Sequence, residues 1–363
     1  DKISGQWNYG VGHNVESEHF DPNDFGFLFA ANSINYFAYG NYNIFEPFWK
    51  LNRMRAGASI WYDRLFAPNT FTSYGIDVFA NATTRGFHTF GVGASWKPDN
   101  TFDYFEPRKT GSYFIFPQEN SFNAFISSDY RRRLAIDGNF WMYNTPIEGW
   151  KGRNYRLAPR FRVNDQLFLV YVYSWQNSHN ERGFSDFDAD NNTIIGTRDV
   201  ISHTNVLTLS YIFTNRMGLT FRARHYWSTA NYKQFYQLYD FENTDDASLH
   251  GSLSNSFTQY VDEYDDEGNP VYGGINDDGT SANNRSFTAF NIDLVYTWVF
   301  SPGSELRIVW KNAILDQEEV IPDDLLDNVN RTFTLPQNNS FSVRLLYFID
   351  YLSLKRKGSS IKN

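Results

Sequence analysis

Met217-Gly218-Leu219-Thr220-Phe221-Arg222-Ala223-Arg224-His225-Tyr226-Trp227 is the stretch on which the fold turns. Met217, Leu219, Phe221, Ala223, His225 and Trp227 lie on one side of a period-two ladder, and Gly218, Thr220, Arg222, Arg224 and Tyr226 on the other. Successive side chains of a strand point to opposite faces, so this segment is a strand with one greasy and one charged face. The pattern recurs in Tyr155, Leu157, Pro159, Phe161 and Val163 against Arg156, Ala158, Arg160 and Arg162. It recurs again in Leu306, Ile308 and Trp310 against Glu305, Arg307, Val309 and Lys311. Helical periodicity is almost absent.

Alternation alone would also suit a soluble sandwich. Three features separate the two environments: Arg crowds the polar faces of neighbouring strands, strands run to ten or twelve residues, and aromatics gather near strand ends. A membrane-spanning strand needs about 9–11 tilted residues, and a membrane barrel carries aromatic girdles at both interfaces. The aromatic content of 19% fits such girdles. The expected fold is therefore all-β, a transmembrane antiparallel up-and-down β-barrel of about fourteen strands. The strands fall near 3–11, 32–44, 51–63, 71–80, 87–97, 120–130, 133–143, 152–163, 166–176, 202–213, 217–228, 287–300, 304–314 and 340–351.

Connections alternate in length. Short ones are 81–86, 163–166, 213–216 and 301–304; long ones are 12–31, 98–119, 177–201, 229–286 and 315–339. Outer-membrane barrels have short periplasmic turns and long extracellular loops, which places both termini in the periplasm. The expected layout is a barrel over 1–351, a long acidic extracellular loop at 229–286 within it, and a basic periplasmic tail at 352–363.

Composition narrows the chemistry. The chain has no Cys, which removes disulfides, thiolate metal sites and cysteine nucleophiles. The longest apolar runs, Phe25–Ala31 and Leu167–Tyr173, have seven residues each, too short for a helical span. The chain opens on Asp1 with no signal-peptide pattern, as expected of a mature or trimmed form. The net charge of −9 is local, because 240–284 holds eleven acidic residues and no Lys or Arg. Without it 30 acids face 32 bases, with no basic stripe of the kind nucleic acid requires.

The polar faces supply the candidate site. Strand parity turns Arg53, Arg55, Arg133, Arg156, Arg160, Arg162, Arg222, Arg224, Arg307, Lys311 and Arg344 inward, together with Asp63, Asp77, Asp137, Asp293, Glu305 and Asp350. Rings of Arg and Lys select anions, so one reading is a positively biased pore. The other is a braced lumen in which Asp137, Asp293 and Glu305 bridge Arg on adjacent strands and seal the passage.

Other motifs weigh less. Asp188, Asp190, Asn192 and Asp199 have the spacing of a calcium loop, but Thr193 stands where Gly is expected. Asp262–Gly268 and Asn276–Gly279 offer hard oxygens for calcium, or form a solvated surface loop. No cofactor is expected otherwise. Asp24-Phe25-Gly26 lacks every other kinase element, and His250-Gly251-Ser252 lies in the acidic insertion rather than on a lipid-facing strand. No catalytic constellation is found, and an enzyme is not expected. The loop aromatics Tyr104, Phe105, Tyr232, Phe235, Tyr236 and Tyr239 are eligible for sugar stacking.

Several segments together resemble a known family: Asn23–Leu28 (NDFGFL), Phe105–Arg108 (FEPR), Leu157–Arg160 (LAPR), Met217–Trp227 (MGLTFRARHYW), Asn291–Leu306 (NIDLVYTWVFSPGSEL) and Asn339–Tyr351 (NSFSVRLLYFIDY). This is an uncharacterised outer-membrane family in which a barrel follows an amino-terminal domain similar to family-nine carbohydrate-binding modules. The resemblance implies architecture and location in the outer membrane of a Gram-negative bacterium; the family has no established activity to carry over. The preceding domain is not expected within these 363 residues, because the first strand is expected almost at residue 1. Two functions follow as expectations. One is a porin-like channel for small, anion-biased solutes. The other is a non-conducting barrel that anchors, or forms a subunit of, a larger outer-membrane complex linked to glycan binding. The expected partners are outer-membrane lipid, lipopolysaccharide and other outer-membrane or periplasmic proteins.

Overall fold

The computed structural model describes residues 1–21, 31–147, 149–188, 191–238, 257–260, 283–318 and 324–349. Its strands are β1 (Trp7–Glu16), β2 (Ser33–Ile44), β3 (Leu51–Arg64), β4 (Phe71–Thr84), β5 (Thr89–Lys97), β6 (Thr101–Asp103), β7 (Phe114–Phe116), β8 (Glu119–Ser127) and β9 (Leu134–Asn144). They continue as β10 (Lys151–Arg162), β11 (Leu167–Phe187), β12 (Thr193–Thr214), β13 (Met217–Leu238), β14 (Phe257–Tyr260), β15 (Arg285–Ser301), β16 (Ser304–Glu318) and β17 (Asn338–Leu346). One helix, α1 (Leu325–Thr332), precedes β17.

Fourteen strands form one antiparallel meander in the order β1-β2-β3-β4-β5-β8-β9-β10-β11-β12-β13-β15-β16-β17, with β14 added beside β13 and β6-β7 as a separate pair. The all-β, up-and-down expectation and the strand number hold. The sheet is open, however: β1 and β17 are its two edges and do not pair with each other. At one point the free edge of β1 is taken by Lys2, which exchanges both backbone hydrogen bonds with Tyr9 (2.7 and 3.0 Å).

Register carries the two-faced pattern from strand to strand. Arg160 faces Ala135 and Val170, Arg222 faces Thr208 and Asp293, and Asp293 faces Lys311. On β3–β5 and β8–β10 the apolar face is the exposed one, whereas on β13 and β15 it is covered by α1, which buries His225, Trp227 and Phe290. On β10 the apolar-face Leu157 is 51% exposed, while the next residue, Ala158 on the polar face, is fully buried. Val78, Phe90, Val92, Trp96 and Ile136 share the open apolar face. Among the described residues no helix is long and apolar enough to cross a membrane, which says nothing about strands.

Glycine lets broad rings lie flat on the polar face. A Cβ on Gly75 would stand 2.5 Å from the Trp61 ring across the register, and one on Gly91 would collide with the Phe125 ring. Trp61 is fixed there by its indole N–H, which donates to Asp77 (3.1 Å).

Two expectations are corrected at the long-connection end. The strands β11, β12 and β13 run to 21 or 22 residues, well past the expected ends near 176, 202 and 228. At about 3.3 Å per residue that is roughly 70 Å of strand. The polar 177–201 segment pairs because Glu181, Arg182 and Gly183 on β11 find Arg198, Thr197 and Gly196 on β12. The 98–119 connection is likewise ordered, holding the β6-β7 pair. In the 315–339 connection, Asp324 caps α1 by accepting from the N–H groups of Leu326 and Asp327 (2.7 and 2.9 Å).

Candidate functional site

Register places Arg53, Arg55, Arg156, Arg160, Arg162, Arg222, Arg224, Arg307, Lys311 and Arg344 on the polar face, with Asp63, Asp77, Asp137, Asp293 and Glu305. Arg133 lies in the turn before β9, where its carbonyl accepts the Arg162 N–H (2.7 Å). Asp350 lies outside the described residues.

The three expected bridging acids behave differently. Asp137 does bridge strands: it accepts from Arg160 Nε on β10 (2.9 Å), from Ser127 Oγ (2.8 Å) and from Tyr130 Oη (2.5 Å). Asp293 meets Lys311 on β16 at 3.7 Å. Glu305 meets Arg307 on its own strand at 3.1 Å. Arg53 donates to the Thr83 hydroxyl (3.2 Å) and Arg55 lies over the Phe79 ring (5.2 Å). Arg53, Arg55, Arg133, Arg156, Arg162, Arg222, Arg224 and Arg344 have no carboxylate partner within 4 Å among the described residues. Arg307 and Arg344 face each other directly in the register. The polar face is thus braced at a few points and leaves a row of unneutralised guanidinium groups.

A structure that sequence reading missed crosses this face at the long-connection end. Phe114 is fully buried and packs with Tyr143, Trp150, Ile195 and Leu238, and Phe116 and Trp141 flank it. Toward the other side of the sheet, Phe102 meets the rings of Phe71 (6.1 Å) and Tyr113 (5.5 Å). The 98–118 segment therefore spans from β4 to the extended β12 and β13. Between it and the β2–β4 wall lies a cavity of about 1060 Å³, lined among others by Asn35, Asp63, Ser73, Phe102, Tyr104 and Tyr113. Burial pushes the Tyr104 and Tyr113 hydroxyls above their ordinary range. The signal in the sequence was the unbroken apolar run Phe114-Ile115-Phe116, as in a strand buried on both sides.

Glu106 fastens the segment to β11. Its Oε1 accepts the Phe184 N–H (2.6 Å), while the Thr193 hydroxyl donates to the Pro107 carbonyl (2.9 Å). Burial raises the Glu106 carboxyl and Asp103 adds to the rise, against the lowering pull of the Phe184 N–H, Arg108 and Arg198. A carboxyl raised on docking favours the docked state most below its undocked pKa, and that contribution is lost as pH rises through the raised value. Protection of 98–118 from protease is therefore expected to fall as pH rises above the ordinary carboxylate range. Glu106→Gln, which keeps the carbonyl acceptor, is expected to flatten that profile at high protection; protection that rises with pH would contradict the assignment.

Of the candidate calcium residues, Asp188 and Asn192 meet and Asp199 lies apart. Asp188 is engaged by the Asn192 backbone N–H (2.7 Å) and amide (3.0 Å) at the β11-β12 tip. Asp199 sits down β12, bound to Lys233 (2.7 Å) and His179 (2.8 Å). Asp190, Tyr239, residues 261–282 and the tail lie outside the described residues. Of the other loop aromatics, Tyr232 stacks on Phe235 at 5.3 Å and 13°. Phe105 lies under the Arg108 guanidinium at 3.8 Å. Among the described residues, no group of three or more His, Cys, Asp or Glu side chains is placed to hold a metal ion.

No curated protein matches this chain. The family described as a domain of unknown function (DUF5916) matches residues 1–358, and the protein belongs to it.

Proposed function

We propose that the sheet closes into an outer-membrane β-barrel, with its short turns and both termini in the periplasm, and that it serves as a channel for small solutes with a bias toward anions. The observation that carries this reading is a row of Arg side chains with no carboxylate partner among the described residues, on a face whose opposite side is apolar and, over β3–β5 and β8–β10, open. In water that exposed apolar surface is unfavourable by about 25 cal/mol per Å². In a bilayer it is the matching solvent, and lipid and lipopolysaccharide become its neighbours. An edge strand inside a bilayer would leave backbone groups unsatisfied at several kcal/mol each, which favours pairing of β1 with β17.

A second reading, a non-conducting anchor or subunit of an outer-membrane complex, is favoured by one observation: the 98–118 segment fastened across the polar face. The cavity aromatics Tyr104 and Tyr113 would suit glycan stacking in that case.

Single-channel recording in planar bilayers under a KCl gradient separates the two. The expected result is stable open steps with a reversal potential on the anion side. Arg156→Glu or Arg224→Glu should move that potential toward cation preference, since each reverses a lining charge. A correctly inserted but silent protein would overturn the channel and favour the anchor.

A further inference from the structure

We infer that Arg222 and Arg224 form an oxyanion site on the polar face of β13, β15 and β16, suited to a doubly charged phosphate or phosphomonoester group. It rests on the channel reading only in supplying a reason for the site; binding itself requires no conduction.

Three observations converge there. The two Arg are two residues apart on one face of β13, so their Cα atoms are about 6.6 Å apart and their forks can reach a common ligand. Register then sets the next strands. Asp293 lies opposite Arg222, with Lys311 beyond it; Asn291 lies opposite Arg224, with Ala313 beyond it. These residues enclose a hollow of about 320 Å³, larger than a phosphate group.

Charge selects the ligand. Asp293 is paired with Lys311 at 3.7 Å rather than with Arg222, its direct neighbour in the register. That pair is self-neutralised and leaves two guanidinium charges. Arg222 and Arg224 have no carboxylate within 4 Å among the described residues, and Arg224 has only the Tyr226 ring at 5.8 Å. Planar forks with several N–H donors match a tetrahedral oxyanion better than a point-charge halide. Asn291 supplies a neutral amide donor in the same row, and the Ala313 methyl group leaves room for the ligand beside it.

The test is isothermal titration of the purified full chain in detergent with inorganic phosphate, alongside chloride at equal ionic strength. Saturable phosphate binding is expected, weakened about tenfold in Arg222→Gln and in Arg224→Gln, the usual size of a lost charge-assisted hydrogen bond. Arg55→Gln removes the same charge from a distant part of the face and is expected to leave phosphate binding unchanged. Asp293→Asn is the sharper variant: it deletes the one carboxylate that lines the hollow among the described residues and frees Lys311, so binding should tighten several-fold, an effect no general loss of structure produces. Phosphate binding that is absent, or that Arg55→Gln weakens as much as Arg224→Gln, would overturn the site. A silent channel with intact phosphate binding would overturn the channel alone.

Discussion

Phe114→Ala is expected to cost about 3–5 kcal/mol, the range for removing a fully buried phenyl ring, because this side chain is 0% exposed among Tyr143, Trp150, Ile195 and Leu238. The loss falls on the docking of 98–118 rather than on the strand ladder, since among the described residues β7 pairs with β6 and not with the fourteen-strand sheet. The segment should therefore leave the polar face while the fourteen-strand meander survives. Two measurements check this: new protease cleavage between 104 and 112 in an otherwise protected protein, and a larger unit conductance in bilayers. Phe114→Leu, which keeps most of the volume, should restore both properties toward the parent. Unchanged cleavage and unchanged conductance in Phe114→Ala would show that the packing does not hold the segment.

The second large effect concerns closure. If β1 and β17 pair, outward side chains of the two strands come within disulfide reach, where Cβ atoms stand about 3.5–4.5 Å apart. Val11 on β1 and Phe341, Val343 and Leu345 on β17 are exposed apolar-face residues at the two edges of the sheet. Val11→Cys combined in turn with Phe341→Cys, Val343→Cys and Leu345→Cys scans three registers, and the absence of native Cys makes the readout clean. One of the three is expected to oxidise nearly completely and to resist heat unfolding in gel shift, the others poorly. Absence of crosslinking in all three, with the protein inserted in a bilayer, would mean that the sheet stays open. Closure also requires Lys2 to release Tyr9, so truncation of residues 1–4 is not expected to impair crosslinking.

The strand count and the division into faces were legible because period-two alternation survives wherever one side of a strand is apolar, as in Met217–Trp227 and Glu305–Lys311. Where both sides are polar, alternation carries no signal. This hid the outer halves of β11 to β13, which pair through residues such as Glu181 with Arg198 (3.0 Å) and Lys233 with Asp199 (2.7 Å). The 98–118 segment was hidden for a different reason. Its apolar triplet is too short to declare a strand, and its partners Trp150 and Ile195 are distant in sequence. Parity predicted which Arg share a face, but the partition into paired and unpaired depends on side-chain geometry. Asp293 reaches Lys311 and leaves Arg222, although the register offers it both. The flat rings of Trp61 and Phe125 over Gly75 and Gly91 likewise emerge only once register is known; composition alone assigned such aromatics to girdles.

The strictly consecutive meander also fixes an order of events in folding. Every β-strand of the fourteen except the first docks on the one that precedes it in the path, across connections mostly of a few to about twenty residues, so growth can proceed hairpin by hairpin with modest loop-closure entropy. Joining β1 to β17 instead brings together segments more than 300 residues apart. Four doublings of loop length add about 2.4 kcal/mol to that closure if it is attempted before the intervening strands have formed. Once they have, the ladder itself carries the two ends toward each other and most of the penalty disappears. End-to-end pairing is therefore the last and most template-dependent step, and a slow phase confined to it should lengthen when an interior strand is weakened.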